Sequence, residues 1–166
     1  MATTVYEESR FSTRLTAILA TITVLVFALV VYQFLTEPDE LRSMLGVISV
    51  VLLVLFATLT VNFRRLSVHI TDESVTIGYG VFRSEVPWRH IEGCSVDETS
   101  TLRYGGWGIR VTRVGGSWRL VYNTMDDPRV VMAVSTGRFR EIAFSTRDPE
   151  TVVEIIERHA ETTTHE

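Results

Sequence analysis

Two stretches without a single charged side chain, LTAILATITVLVFALVVYQFL from Leu15 to Leu35 and SMLGVISVVLLVLFATLTVNF from Ser43 to Phe63, fill most of the first third of the chain. At a helical rise of about 1.5 Å per residue each covers roughly 30 Å, the hydrocarbon thickness of a bilayer. Between them stands TEPDELR, Thr36 to Arg42, whose proline and three acids make a polar turn that lipid excludes. The runs therefore predict an antiparallel transmembrane hairpin, 15–35 and 43–63, preceded by a polar segment 1–14. A cleaved signal peptide has a shorter apolar core and no second span directly behind it.

Arginine placement sets the expected orientation. Arg10 and Arg14 precede the first span, Arg64 and Arg65 follow the second, and Arg42 stands alone among acids in the turn. Both termini are thus expected in the cytoplasm of a multi-pass plasma-membrane protein, with Tyr32 and Gln33 at the outer interface. Neither run holds an ionisable group, which argues against an ion pathway or proton relay. Ser43, Gly46 and Ser49 recur at helical spacing and suit close packing of the two spans.

Beyond Leu66 the pattern changes, and a second domain is expected over 64–166. Alternating segments follow one another: Leu66–Thr71, Ser74–Phe82, Ser84–Val96, Gly106–Thr112, Trp118–Thr124, Arg129–Thr136 and Phe139–Ser145. Each reads as a half-buried strand, and the joints carry turn residues, from Asp72 and Glu73 to Gly115 and Gly116. Seven consecutive antiparallel strands are predicted. The period then becomes helical over 149–161, with Asp148 as N-cap, Pro149 at the first helical position, and Val152, Ile155, Ile156 and Ala160 on one face.

This order of elements resembles the bacterial and archaeal pleckstrin-homology-like (PH-like) domains, small membrane-associated modules often attached to transmembrane helices. The likeness is carried by VPWRHIEGCSV, by the YGGWGIR corner, by the ending VSTGRFREIAFSTRDPETVVEII, and by the position after two spans. It covers Leu66 to about Glu161. The resemblance implies a mainly-β fold, a seven-stranded bent sheet or open β-barrel capped by the C-terminal helix, and little agreed biochemistry.

The glycines of RYGGWGIRVT, Arg103 to Thr112, lead into a strand. A phosphate-binding loop leads into a helix N-terminus, so these glycines read as a bend, with Trp107 covering the barrel core. The first hairpin turn, Thr71 to Ser74, holds Asp72 and Glu73, a departure from the basic turn that phosphoinositide-binding relatives use. From Leu66 onward 11 arginines face 15 acids, within a chain of net charge −4 that carries no basic footprint for nucleic acid. Arg83, Arg89, Arg103, Arg110, Arg113 and Arg119, with Trp107 among them, form the candidate patch for a ligand or partner; individual solvated ion pairs are the plainer reading.

No catalytic or metal-ligating constellation is legible, and no cofactor is expected. His69, His90, His159 and His165 show no ligand spacing. The one cysteine, Cys94, excludes an intrachain disulfide and suits a small core position. The expected function is a non-enzymatic, membrane-anchored interaction or scaffold module that binds a protein partner or itself through a sheet edge or the barrel mouth. A lipid-headgroup binder using the arginine patch is the alternative, and an enzyme acting on a membrane substrate a remote one.

Overall fold

The computed structural model describes residues 3–36, 44–99, 104, 106–124 and 127–164, the side chains of 161–164 excepted. The chain divides into two units, one of residues 12–64 and one combining residues 1–11 with 65–166.

The helical unit holds α1 (Thr13–Thr36) and α2 (Met44–Phe63), each long and apolar enough to cross a membrane. The turn read from TEPDELR lies, beyond Thr36, outside the described residues. Most large apolar side chains of the pair point outward, Leu25, Phe27, Leu45 and Val54 among them, which is the reverse of a soluble protein's core helix. Gly46 and Ser49 are the buried residues of α2, where their small side chains suit close approach of backbones. A hydrogen bond of 3.1 Å between the Thr23 and Thr60 hydroxyls joins the helices.

Among the described residues nine strands form the other unit, in a four-stranded sheet ordered β1-β2-β3-β4 and a five-stranded sheet ordered β5-β8-β9-β7-β6. The strands are β1 (Thr4–Phe11), β2 (Arg65–Thr71), β3 (Ser74–Tyr79), β4 (Phe82–Pro87), β5 (Ile91–Asp97), β6 (Gly108–Val114), β7 (Ser117–Asn123), β8 (Arg129–Val134) and β9 (Glu141–Ser145), followed by α3 (Pro149–Thr164). The mainly-β class with a terminal helix is as expected.

Four details differ from the sequence reading. The single strand expected over Ser74–Phe82 is broken by a turn at Gly80 and Val81, so β3 and β4 pair as a hairpin closed by Tyr79↔Phe82. The segment 1–14, expected as a polar arm outside the β domain, supplies β1, which pairs antiparallel with β2 from Thr4↔Thr71 to Phe11↔Arg65. The single strand expected over 84–96 is broken by a 3-10 turn at Trp88–His90. Pro87 lacks an N–H for the ladder, and Trp88 turns inward to donate from Nε1 to the Thr71 carbonyl at 2.9 Å. Hydrogen bonding therefore stops between β4 and β5, and two separate sheets replace the bent sheet closing toward a barrel; no closed barrel forms among the described residues. Finally, the strands are not all consecutive antiparallel neighbours, because β9 inserts between β8 and β7 and runs parallel to β7.

The main core lies between the sheets. Leu66, Val68, Ile70, Val75, Ile77 and Tyr79 of the first and Val130, Met132 and Phe144 of the second are all fully buried. Tyr79 donates to the Asn123 carbonyl at 2.9 Å, and the Ser84 and Tyr122 hydroxyls lie 2.7 Å apart, so polar pairs peg one sheet to the other. Cys94 is buried as expected, and burial pushes its thiol up to about 12. On α3, Val152 and Ile156 are fully buried and the helix packs on β5, β8 and the 3-10 turn. His159 stacks on Trp88 with ring centroids 4.8 Å apart. Asp148 caps this helix by accepting from the Thr151 amide and hydroxyl, which holds its carboxyl below the usual range.

Candidate functional site

The outer face of the five-stranded sheet carries a buried polar cluster. Strand alternation places Asp97, Arg129, Arg119 and Glu141 on that face, and the register sets them as direct cross-strand neighbours, Asp97↔Arg129 and Arg119↔Glu141. Arg129 Nε donates to Asp97 Oδ2 at 3.1 Å, and Arg119 Nε donates to Glu141 Oε2 at 2.7 Å. Arg119 Nη1 also lies 3.8 Å from Asp97 Oδ1, linking the two pairs.

Tyr104 lies over this cluster. Its hydroxyl donates to Asp97 Oδ2 at 2.8 Å and accepts from Arg119 Nη1, while the Arg129 guanidinium stands 5.1 Å from its ring centroid. With Val121, Val131 and Ala143 it makes a small second core. Asn123 Nδ2 donates to the Gly106 carbonyl at 2.7 Å, and Gly106 and Gly108 adopt φ of 104° and 85°, which favours glycine. The glycine corner is thus a bend, as expected, but Tyr104 and not Trp107 is the side chain that enters a core; Trp107 is half-buried.

Electrostatically the cluster is closed. Burial pushes the Asp97 carboxyl up, yet hydrogen bonds from Thr99, Tyr104 and Arg129 outweigh it and hold the group below its usual range. Burial raises the Tyr104 phenol, and the Asp97 charge raises it further. Burial lowers the Arg119 guanidinium, and Glu141 and Tyr104 reverse this, leaving it raised. Two cations against two carboxylates leave no net charge for an anionic ligand. The chemistry available here is cohesion: the cluster holds Thr99 and Tyr104 onto the sheet.

The candidate arginine patch is dispersed. Arg83 is exposed on β4, where its Nε donates to the Gly80 carbonyl at 2.6 Å, and Arg89 is exposed in the 3-10 turn. Arg110 and Arg113 are exposed on opposite faces of β6, Arg119 is buried in the ion pairs just described, and Arg103 lies outside the described residues. Sequence reasoning missed Asp97, Arg129, Glu141 and Tyr104. The one signal was faint: Arg119 shares its strand face with Val121 but also with Asn123, opposite the apolar face of Trp118, Leu120 and Tyr122.

What the arginines do mark is an edge. β6 ends the five-stranded sheet, contains no proline, and presents Val111, 50 % exposed, beside Trp118 of β7, 48 % exposed. The pairing Val111↔Leu120 and Arg113↔Trp118 places both on one face as diagonal neighbours. The opposite edge, β5, is packed against α3. A concavity of about 280 Å³ lies between β4 and the β8–β9 connection, lined by Glu85, His90, Leu120, Arg138 and Phe139. No group of three or more His, Cys, Asp or Glu side chains among the described residues is placed to hold a metal ion. No protein-family model matches the chain, and no curated protein or solved structure is similar to it at a significant level.

Proposed function

We propose that this protein is a membrane-anchored interaction module, without catalytic activity of its own, that receives an extended segment of a partner protein along β6. The observation that carries the reading is the β6 edge itself: a regular strand that pairs, among the described residues, with β7 alone, and an apolar shelf of Val111 and Trp118 beside it. Arg110 and Arg113 on the same strand favour an acidic partner segment and disfavour pairing with a second copy, which would bring like charges together. The mainly-β unit with its terminal helix supports kinship with PH-like domains, and the parallel β7–β9 pair is its departure from a simple meander.

The spans supply location. β1 and β2 flank the helical segment in sequence and are hydrogen-bonded to each other, so both ends of that segment share one compartment. The arginines that flank the segment support assigning that compartment to the cytoplasm. Anchoring raises the local concentration of whatever the β6 edge holds.

A photo-crosslinker placed at Val111 of the full chain in native membranes tests this. The expected adduct carries an acidic, extended peptide of another protein and is lost in R110E/R113E. An adduct between two copies of the chain, or none that depends on the two arginines, overturns the reading.

A further inference from the structure

The four-stranded sheet is polarised end to end. β1 stops at Phe11, just before α1 begins at Thr13, and β2 starts at Arg65, just after α2 ends at Phe63. Phe11 pairs with Arg65, Leu66 with Tyr79, and Tyr79 with Phe82. The β3–β4 turn at Gly80 and Val81 therefore lies at the end of the sheet to which both helices are covalently attached. With neighbouring strands about 4.8 Å apart, that turn stands roughly 5–10 Å from the start of β2.

The side chains at this end suit an interface and not bulk water. Val81 is 83 % exposed and Phe82 50 % exposed, Phe11 is 52 % exposed, and Arg65 and Arg83 are exposed among them. The opposite end carries the exposed acids Asp72 and Glu73 in the β2–β3 turn. Exposed apolar side chains bordered by arginines, with the exposed acids of this sheet at mid-strand, Glu7 and Glu85, or in the far turn, match the layer where acyl chains give way to phosphates.

We propose that the β3–β4 turn, Gly80 to Arg83, enters the headgroup layer of the bilayer, with Val81 and Phe82 among the upper acyl carbons and Arg83 at the phosphates. The hydrogen bond from Arg83 Nε to the Gly80 carbonyl orders the turn for this contact. The docked turn would fix the height of the sheet above the membrane, and with it the height of β6. The inference rests on α1 and α2 crossing the bilayer and is independent of what β6 binds.

Full-length V81C, D72C and L25C proteins, each carrying an environment-sensitive fluorophore, are reconstituted in phosphatidylcholine vesicles with and without one-third phosphatidylglycerol. All three sites are exposed, so the fold tolerates the change, and buried Cys94 is a poor competitor for the label. The label at V81C is expected to be quenched by headgroup-region spin-labelled lipid and to show about fivefold weaker iodide quenching than at D72C. Equal iodide quenching at the two sites, or shielding at V81C without quenching by lipid, overturns the proposal. Absence of quenching at L25C by acyl-chain spin-labelled lipid overturns it together with the spans, whereas acyl-chain quenching at L25C without headgroup-region quenching at V81C removes the turn contact alone. A stronger V81C effect with phosphatidylglycerol assigns part of the contact to Arg83.

Discussion

Asp97, the last residue of β5, accepts a 3.1 Å hydrogen bond from Nε of Arg129, the first residue of β8, and both side chains are almost completely buried. The pair sits directly opposite in the antiparallel register, so no backbone shift is needed to form it. Its consequence is a division of labour among the arginines: Arg119 and Arg129 hold the molecule together, whereas Arg110 and Arg113 face outward.

Asp97→Asn keeps the shape of the side chain and removes its charge from between two buried guanidinium groups, of which Arg119 keeps its pair with Glu141. A loss of about 3–5 kcal/mol is expected, the scale for breaking a buried ion pair. All three tryptophans, Trp88, Trp107 and Trp118, belong to the β unit, so denaturant unfolding in detergent followed by tryptophan fluorescence reads this loss without interference from the helices.

Acid should weaken the same unit. Asp97 and Asp127 both have native carboxyls below the usual range: burial raises each, and for Asp127 the Arg10 and Thr124 hydrogen bonds outweigh it. A depressed native value means the folded state binds its proton less readily than the unfolded chain, so the stabilisation is full above the unfolded value near about 4. It is lost as pH falls from there through the native values. A plot of stability against pH should be flat in this contribution above about pH 5 and fall below pH 4, with a shallower fall in D97N.

Gly78 tolerates no side chain. A Cβ there would stand 2.2 Å from the Phe82 carbonyl oxygen and 2.6 Å from Arg83 Cα, both backbone atoms of the paired strand, whereas a Cβ at Gly93 meets nothing within 4 Å. Gly78→Ala is expected to cost at least about 1–3 kcal/mol, the range for overpacking. Gly93→Ala should change stability by less than about 0.5 kcal/mol, as for an unremarkable surface site. Thermal midpoints of the two variants in the same detergent make the comparison.

Glu8 ties β1 to the segment after β9. It accepts from the Thr146 hydroxyl at 2.6 Å, the Arg147 amide at 3.0 Å and the Tyr6 hydroxyl at 3.1 Å. Glu8→Ala should cost about 1–3 kcal/mol through the donors left behind. Hydrogen exchange should quicken over residues 4–11 while β7 and β8 keep their protection.

The sequence by itself determined what depends on local runs and local periods: the two uncharged stretches, the alternating strands at 66–71 and from Gly106 onward, the hairpin turn at Asp72 and Glu73, and the start of α3 at Asp148 and Pro149, but not the breaks that divide 74–96 into β3, β4 and β5. Those signals need no partner, because lipid solubility, side-chain alternation and helix capping act within a few residues. Tertiary structure decided the rest. β1 was hidden because its half-buried positions are Tyr6, Glu8 and Arg10, and the charges of Glu8 and Arg10 are satisfied by residues more than a hundred positions away, so no apolar alternation betrays the strand. The same holds for the arginines, whose charge is local but whose burial is not: only the order β5-β8-β9-β7-β6 puts carboxylates opposite Arg119 and Arg129 and leaves Arg110 and Arg113 on an edge in water.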